Sequence, residues 1–214
     1  MINKLLFWQD NKTIDLLRES LKKNNVSITS TDTVLGLVAN CSKSGLQKLD
    51  LIKNRREKPY IILIDSIEKL PIFIEKKIDK KFEGFLNNCW PGPLTLIFKS
   101  QINSHDYLKS FNDTIAIRIP NHQYLLQLLG SFDGLFSTSA NISGREIPDS
   151  IQKIDPEIEK LIDFIVADKK YENHSYPIIP STILDCTEEK IKIVREGIFP
   201  IDELEQFYGE KFIR

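Results

Sequence analysis

Five consecutive apolar residues, Tyr60-Ile61-Ile62-Leu63-Ile64, constrain this chain more than any other stretch. A run without polar alternation suits a strand covered on both faces, as in a layered α/β sheet. Val26-Ser27-Ile28, Leu94-Thr95-Leu96-Ile97-Phe98, Thr114-Ile115-Ala116-Ile117-Arg118 and Phe164-Ile165-Val166-Ala167 read as further short strands. Ser181–Asp185 and Ile191–Arg195 form a late strand pair across a turn at Glu188-Glu189. Helices fill the gaps. Ile14, Leu17 and Leu21 recur at helical spacing within Thr13–Asn24, and a helix capped near Ser42/Ser44 carries Leu46, Leu49 and Ile52 inward until Pro59 stops it. Other helical stretches lie around Glu68, from Lys76 to Asn88, across Tyr124–Leu129, around Ile158–Ile162 and from Pro200 through Phe207. No repeat, low-complexity linker or charge block divides the chain. The expectation is a single α/β domain over residues 1–214 with a twisted, open, mixed sheet.

Charge and cysteine usage narrow the function classes. The net charge of −1 removes any chain-wide electrostatic argument for nucleic acid or anionic membrane as the main partner. No apolar run approaches the ~20 residues of a membrane span, and the N-terminus leads into no signal-peptide core. Cys41, Cys89 and Cys186 are widely spaced and odd in number, which fits thiols used as small apolar fillers in a reducing compartment and a cytoplasmic location. His105, His122 and His174 lack metal spacing, so each reads as surface or structural and no protein-held catalytic metal is expected.

Three hydroxyl-rich strand exits carry the chemical signal: Thr31–Thr33, Ser137–Asn141 and Ser181–Thr182. Their side chains bond local backbone and offer convergent donors at strand ends, where ligands of open α/β sheets bind. Cations accompany them. Lys53, Arg55, Arg56 and Lys58 cluster after a helix, while Arg118 and Arg195 close strands. By pattern alone, the cluster reads equally as a solvated charge run and Arg118 as a surface strand end. The functional alternative is a cleft for a multiply anionic ligand, because arginine forks onto carboxylate or phosphate and lysine supplies a mobile point charge. With no GxGxxG, GxxxxGK[ST] or GxSxG motif, hydroxyls and cations suit phosphoryl or nucleotidyl transfer, where positioning and charge neutralisation do most of the catalysis.

Six elements then fall into the order of a known family. Ser30-Thr31-Asp32-Thr33-Val34-Leu35-Gly36-Leu37 resembles the "PTDTVYGL" opening of the YrdC-type threonylcarbamoyl-AMP synthases, and Lys53-Asn54-Arg55 resembles their K-x-R element. Trp90–Thr95 is similar to "WPGPLT", Ala116–Pro120 to "VRxP", Ser137–Gly144 to "STSANxSG", and Ser181-Thr182-Ile183 with Val194–Gly197 to the closing "STI…RxG". The resemblance covers residues from about 10 to 200 and implies the family's open twisted sheet with a large concave cleft. It implies that ATP, L-threonine and bicarbonate or CO2 give threonylcarbamoyl-adenylate and pyrophosphate, with Mg2+ arriving on ATP. Separate transfer proteins would pass the group to tRNA, and weak direct tRNA contact is compatible with a local basic patch.

Carried over position by position, the threonine site is Thr33, Arg118, Ser137 and Ser181. The nucleotide site is Arg55, Lys58, Thr114, Ser139 and Arg195, and Lys53 with Asn141 completes the K-x-R and S-x-N constellation, the catalytic set being Lys53, Arg55, Ser139 and Asn141. Ser30 stands in place of the family's proline and Leu35 in place of its tyrosine. The Pro59–Ile64 segment lacks the histidine many members use at the threonine site. The last motif lies near the end of the chain, so no additional C-terminal domain is expected. A competing reading is an RNA- or nucleotide-binding YrdC-like module without synthase activity; another is a carbamoyl-transfer domain of the hydrogenase-maturation type, whose zinc-finger and acylphosphatase-like parts have no match here.

Overall fold

The computed structural model describes residues 5–54, 59–75, 77–101, 113–171 and 174–214. Within them, strands β1 (Leu5–Phe7), β2 (Val26–Thr29), β3 (Gly36–Asn40), β4 (Ile61–Leu63), β5 (Leu94–Lys99), β6 (Thr114–Arg118), β7 (Leu135–Ser139), β8 (Ile165–Ala167), β9 (Thr182–Asp185) and β10 (Lys192–Arg195) form one sheet. Their order is β1-β8-β2-β3-β7-β4-β6-β5-β9-β10. It is mixed: β1/β8, β2/β8, β4/β6 and β5/β9 run parallel, and the other neighbours antiparallel. The apolar run is central, as its composition requires, with β4 between β7 and β6.

Register explains the core. Val26, Ala39, Phe136, Ile62, Ile117, Leu96 and Leu184 are successive cross-strand partners, so one row of side chains crosses seven strands on one face. All seven are buried. Helices α2 (Lys43–Lys53), α4 (Lys80–Cys89), α6 (Pro156–Leu161) and α7 (Ile201–Tyr208) supply Leu49, Phe82, Phe85, Ile158 and Leu204 to the same cluster. Each fully buried aliphatic or aromatic side chain is worth about 1.5–3 kcal/mol of transfer free energy. Phe136→Ala, in mid-row, would cost about 3–5 kcal/mol.

The opposite face is only partly covered. Helices α1 (Thr13–Lys22) and α5 (Gln123–Leu129) bury Leu17, Leu21, Leu125, Leu128 and Leu129 against Trp8, Val38, Leu135 and Val166. Beyond Leu63 this face is open, and the cleft described below occupies it.

Local signals account for most element boundaries. Ser42 Oγ accepts from Gly45 N at 3.0 Å to start α2, and Asn54 in the left-handed region ends it. The helix anticipated from Lys76 begins only at Lys80, because Asp79 is its N-cap and accepts from Phe82 N at 2.8 Å. The stretch around Glu68 is a 3-10 turn, Ile67–Lys69, leading into the four-residue α3 (Leu70–Phe73). Strand β1 had no sequence expectation: three residues carry no readable period, and pairing with β8 makes it a strand. Cys89 and Cys186 are buried, and burial pushes the Cys89 thiol up to about 12. His105 lies outside the described residues.

Candidate active site

A cavity of about 260 Å³ opens on the uncovered face, where the three hydroxyl-rich exits meet. Thr33, Arg118, Ser137, Ser139, Ser181 and Arg195 all line it, joining residues from opposite ends of the chain. Strand pairing dictates part of this. Ser137 is the partner of Ile61, and Leu63 is the partner of Arg118, so hydroxyl, aliphatic and guanidinium groups alternate across β7, β4 and β6. Pro59, Ile61 and Leu63 form one wall of the cavity.

Arg118 is buried, 5% exposed, and held on three sides. Nε donates to Gly92 O at 3.1 Å, Nη1 to Thr33 Oγ1 at 2.9 Å, and Nη2 to Asp32 Oδ1 at 2.5 Å. A guanidinium has five N–H donors, so among the described residues one hydrogen on each terminal nitrogen remains for a ligand. Burial pulls its pKa down and the Asp32 carboxylate pushes it back up, leaving a net lowering that still keeps arginine charged. Asp32 Oδ2 also accepts from Asn121 N at 3.0 Å, so this one carboxylate clips the loop after β2 to the loop after β6. Thr31 shapes the first loop: its hydroxyl donates to Val34 O at 2.8 Å and accepts from Thr33 N at 3.0 Å.

The Trp90–Thr95 element buttresses this arginine. Its Trp90-Pro91 bond is cis, Gly92 N donates to Ile119 O at 2.9 Å, and Gly92 O is the acceptor for Arg118 Nε. Thr95 Oγ1 and Ser181 Oγ lie 2.8 Å apart.

Arg195 approaches from the other side. Nε and Nη2 donate to Ser181 O at 3.1 and 2.8 Å. Burial lowers its pKa, and the charge of Arg118 lowers it further. Among the described residues Arg195 has no carboxylate partner. The cleft therefore holds two guanidinium charges against one carboxylate, an arrangement that favours an anion. Gly197 brings this segment close: a Cβ there would lie 2.4 Å from Pro180 O.

A buried network stands behind the two loops. Asp168 Oδ2 accepts from Ser30 Oγ at 3.1 Å and lies 2.9 Å from His122 Nε2, and Gln9 donates to Oδ1 at 3.0 Å. His122 Nδ1 accepts from Leu125 N, so Nε2 carries the proton that reaches Asp168. His122 is thus structural, capping α5.

Other expected residues lie elsewhere. Lys53 and Asn141 sit behind the β7 exit, bonded to each other, outside the lining of the cavity. Thr114 shares a face of β6 with Arg118 but starts the strand, paired with Lys99, also outside that lining. Arg55 and Lys58 lie outside the described residues. Asp32, Gly92 and Thr95 were not singled out from sequence as site residues. Asp32 had a signal, being the only carboxylate within a hydroxyl run that needs a partner for an arginine; Gly92 acts through its backbone and had none.

An open mixed sheet with a cationic, hydroxyl-lined cavity on its bare face defines a YrdC-like α/β protein with an anion-binding cleft. The chain belongs to the Sua5/YciO/YrdC family, whose profile, described as telomere recombination, matches residues 19–197. A protein of Methanocaldococcus jannaschii, named provisionally as a threonylcarbamoyl-AMP synthase, is 34% identical over 90% of this chain and 89% of its own length. The threonylcarbamoyl-AMP synthase of Pyrococcus abyssi is 31% identical over 84% of this chain and 52% of its own length, so the chain spans about half of that relative. The crystal structure of P. abyssi Sua5 complexed with L-threonine superposes with a TM-score of 0.85 at 27% identity, covering 99% of this chain and 62% of that one.

Proposed function

We propose that this chain is a threonylcarbamoyl-AMP synthase, a nucleotidyltransferase that joins L-threonine, bicarbonate or CO2, and ATP. The observation that carries the reading is the meeting of Arg118 and Arg195 in one hydroxyl-lined cleft. The relatives' names and the threonine-bound Pyrococcus structure support the same substrates.

In this reading Arg118 takes the threonine carboxylate. Its two remaining hydrogens match the planar fork of that group, and Thr33, Gly92 and Asp32 hold the guanidinium before substrate arrives. Ser137 and Ser181 offer hydroxyls beside it, and Ile61 and Leu63 form an apolar wall. Arg195, without a carboxylate partner among the described residues, faces the nucleotide phosphates together with Ser139. Threonine's amine holds CO2 as a carbamate. A carbamate oxygen attacks the α-phosphorus as the bond to the β-phosphate oxygen breaks, and pyrophosphate leaves. No enzyme nucleophile is required, and fixed cations offset the charge that develops.

Mg2+ would accompany ATP and would offset phosphate charge there; among the described residues no cluster of three or more His, Cys, Asp or Glu side chains is arranged to hold a metal. The product is a reactive adenylate, which separate proteins consume in threonylcarbamoyladenosine formation on tRNA. No helix among the described residues is long and apolar enough to cross a membrane; the enzyme would work in the cytoplasm. The test is pyrophosphate release by the purified chain. Release is expected only with threonine, bicarbonate and ATP-Mg present together. Equal release without threonine overturns the assignment.

A further inference from the structure

Lys53 closes α2 and is buried, only 2% exposed. An ammonium has three N–H donors, and acceptors on a single turn satisfy that number. Nζ lies 2.7 Å from Ser139 O, 2.5 Å from Asn141 O and 2.9 Å from Asn141 Oδ1. The lysine's own carbonyl accepts from Ser143 N at 3.2 Å. Asn141 Oδ1 also accepts from Ser139 Oγ at 2.6 Å, and Asn141 Nδ2 reaches Arg145 O at 2.5 Å. One residue therefore stitches the end of α2 to the exit of β7. Through Asn141 it orients the Ser139 hydroxyl, which lines the cavity that Lys53 itself does not line.

We propose that Lys53 is a positioning residue, holding the Ser139–Asn141 turn and keeping its three protein acceptors when nucleotide is bound. The inference rests on reading the cleft as a nucleotide site. A swing of Nζ onto a phosphate would break three charge-assisted hydrogen bonds at once, each stronger than a bond between neutral groups. Arg195 already supplies a cation on the cavity side of the turn. Lys53, the first residue of the K-x-R element, is then a buried staple rather than a phosphate ligand.

The first test uses the intact chain labelled with 15N-lysine and at backbone amides. The Lys53 ammonium resonance is identified by its loss in Lys53→Arg, then followed during titration with α,β-methylene ATP. Amides of residues 139–143 are expected to shift while the Nζ resonance stays within its line width. An Nζ shift that tracks the amide saturation curve overturns the positioning role and leaves the nucleotide site standing. Silent amides across the cleft overturn the nucleotide reading, and this inference with it.

The second test is a double-mutant cycle on kcat/KM. Lys53→Met and Asn141→Ala are each expected to cost about tenfold or more, and the double variant no more than about threefold beyond the worse single one, because both act through one turn. Independent, multiplying losses overturn the proposal. If Lys53→Met does not fold, the titration of the unaltered chain still decides.

Discussion

Arg118 and Arg195 bring two like charges to one cleft, and each is held by a partner from a different part of the chain, Asp32 for the first and the Ser181 carbonyl for the second. Among the described residues only the first has a carboxylate partner, because a carbonyl oxygen carries no formal charge. The two arginines are therefore not equivalent.

Substitution of each by lysine should separate the two halves of the cleft. Arg118→Lys keeps the charge but gives up the fork and at least one of three holding bonds. The KM for threonine is expected to rise about tenfold or more, with that for ATP changing much less. Arg195→Lys should show the reverse pattern. Steady-state kinetics with each substrate varied in turn checks this; a rise in the KM for ATP alone from Arg118→Lys contradicts the division.

Asp32→Ala strands the Arg118 charge in a site where that side chain is 6% exposed. Removing one partner of a buried pair costs about 3–5 kcal/mol. Saturating threonine should restore part of the loss, since its carboxylate replaces the missing one. Thermal melts with and without threonine measure both effects. An unchanged melting temperature counts against a structural role for the pair.

Gly197→Ala places a methyl group 2.4 Å from Pro180 O and 2.5 Å from Ser181 O. Backbone cannot rotate aside as a side chain does, so the β10 end must move away from Ser181. A loss of about 1–3 kcal/mol, several degrees of Tm, is expected together with weaker nucleotide binding. Gly144→Ala, where a Cβ meets nothing within 4 Å but φ is +87°, should cost less and spare the distance between Ser181 and Arg195.

Acid should loosen the network behind the loops. Burial pushes the Asp168 carboxyl up, but its bonds to His122, Gln9 and Ser30 outweigh burial and hold it below its ordinary 3.8. A carboxyl with a depressed pKa stabilises the fold at pH above its unfolded value. That contribution fades as the pH falls below about 3.9 and is gone once the pH passes the folded value. Urea unfolding between pH 6 and pH 3 should show Asp168→Asn losing less stability over that acid range than the unaltered chain. Identical acid slopes for the two proteins would contradict the role given to Asp168.

Much of this architecture was legible from residue order. The apolar run found its place in mid-sheet as the three-residue strand Ile61–Leu63, but the cover expected on both faces is incomplete, since Ile61 and Leu63 line the cleft. Thr114–Arg118 is a strand with the bounds its composition suggests, and Ser42 caps the helix expected after Cys41. The six motifs nominated Thr33, Arg118, Ser137, Ser139, Ser181 and Arg195 through the family they resemble; hydroxyl and guanidinium groups at strand ends read by pattern alone as structural or surface residues too. Strand β1 was invisible, because three residues bear no period and depend on a partner strand from the far end of the chain.

What the sequence by itself determined was thus the class of fold, the family and the kinds of side chain that gather in the cleft. Only the tertiary structure decided how those side chains are employed. Lys53 and Arg118 are both cations in motifs, yet one is spent on two backbone oxygens and the Asn141 amide oxygen, while the other lines the cavity with two hydrogens left over among the described residues. Asp32 became the partner of Arg118, and Gly92 its carbonyl support, through contacts between segments far apart in the chain. Residue type sets which bonds a group can make; the remaining donors, and therefore the ligand it can hold, depend on which neighbours the fold brings within about 3 Å.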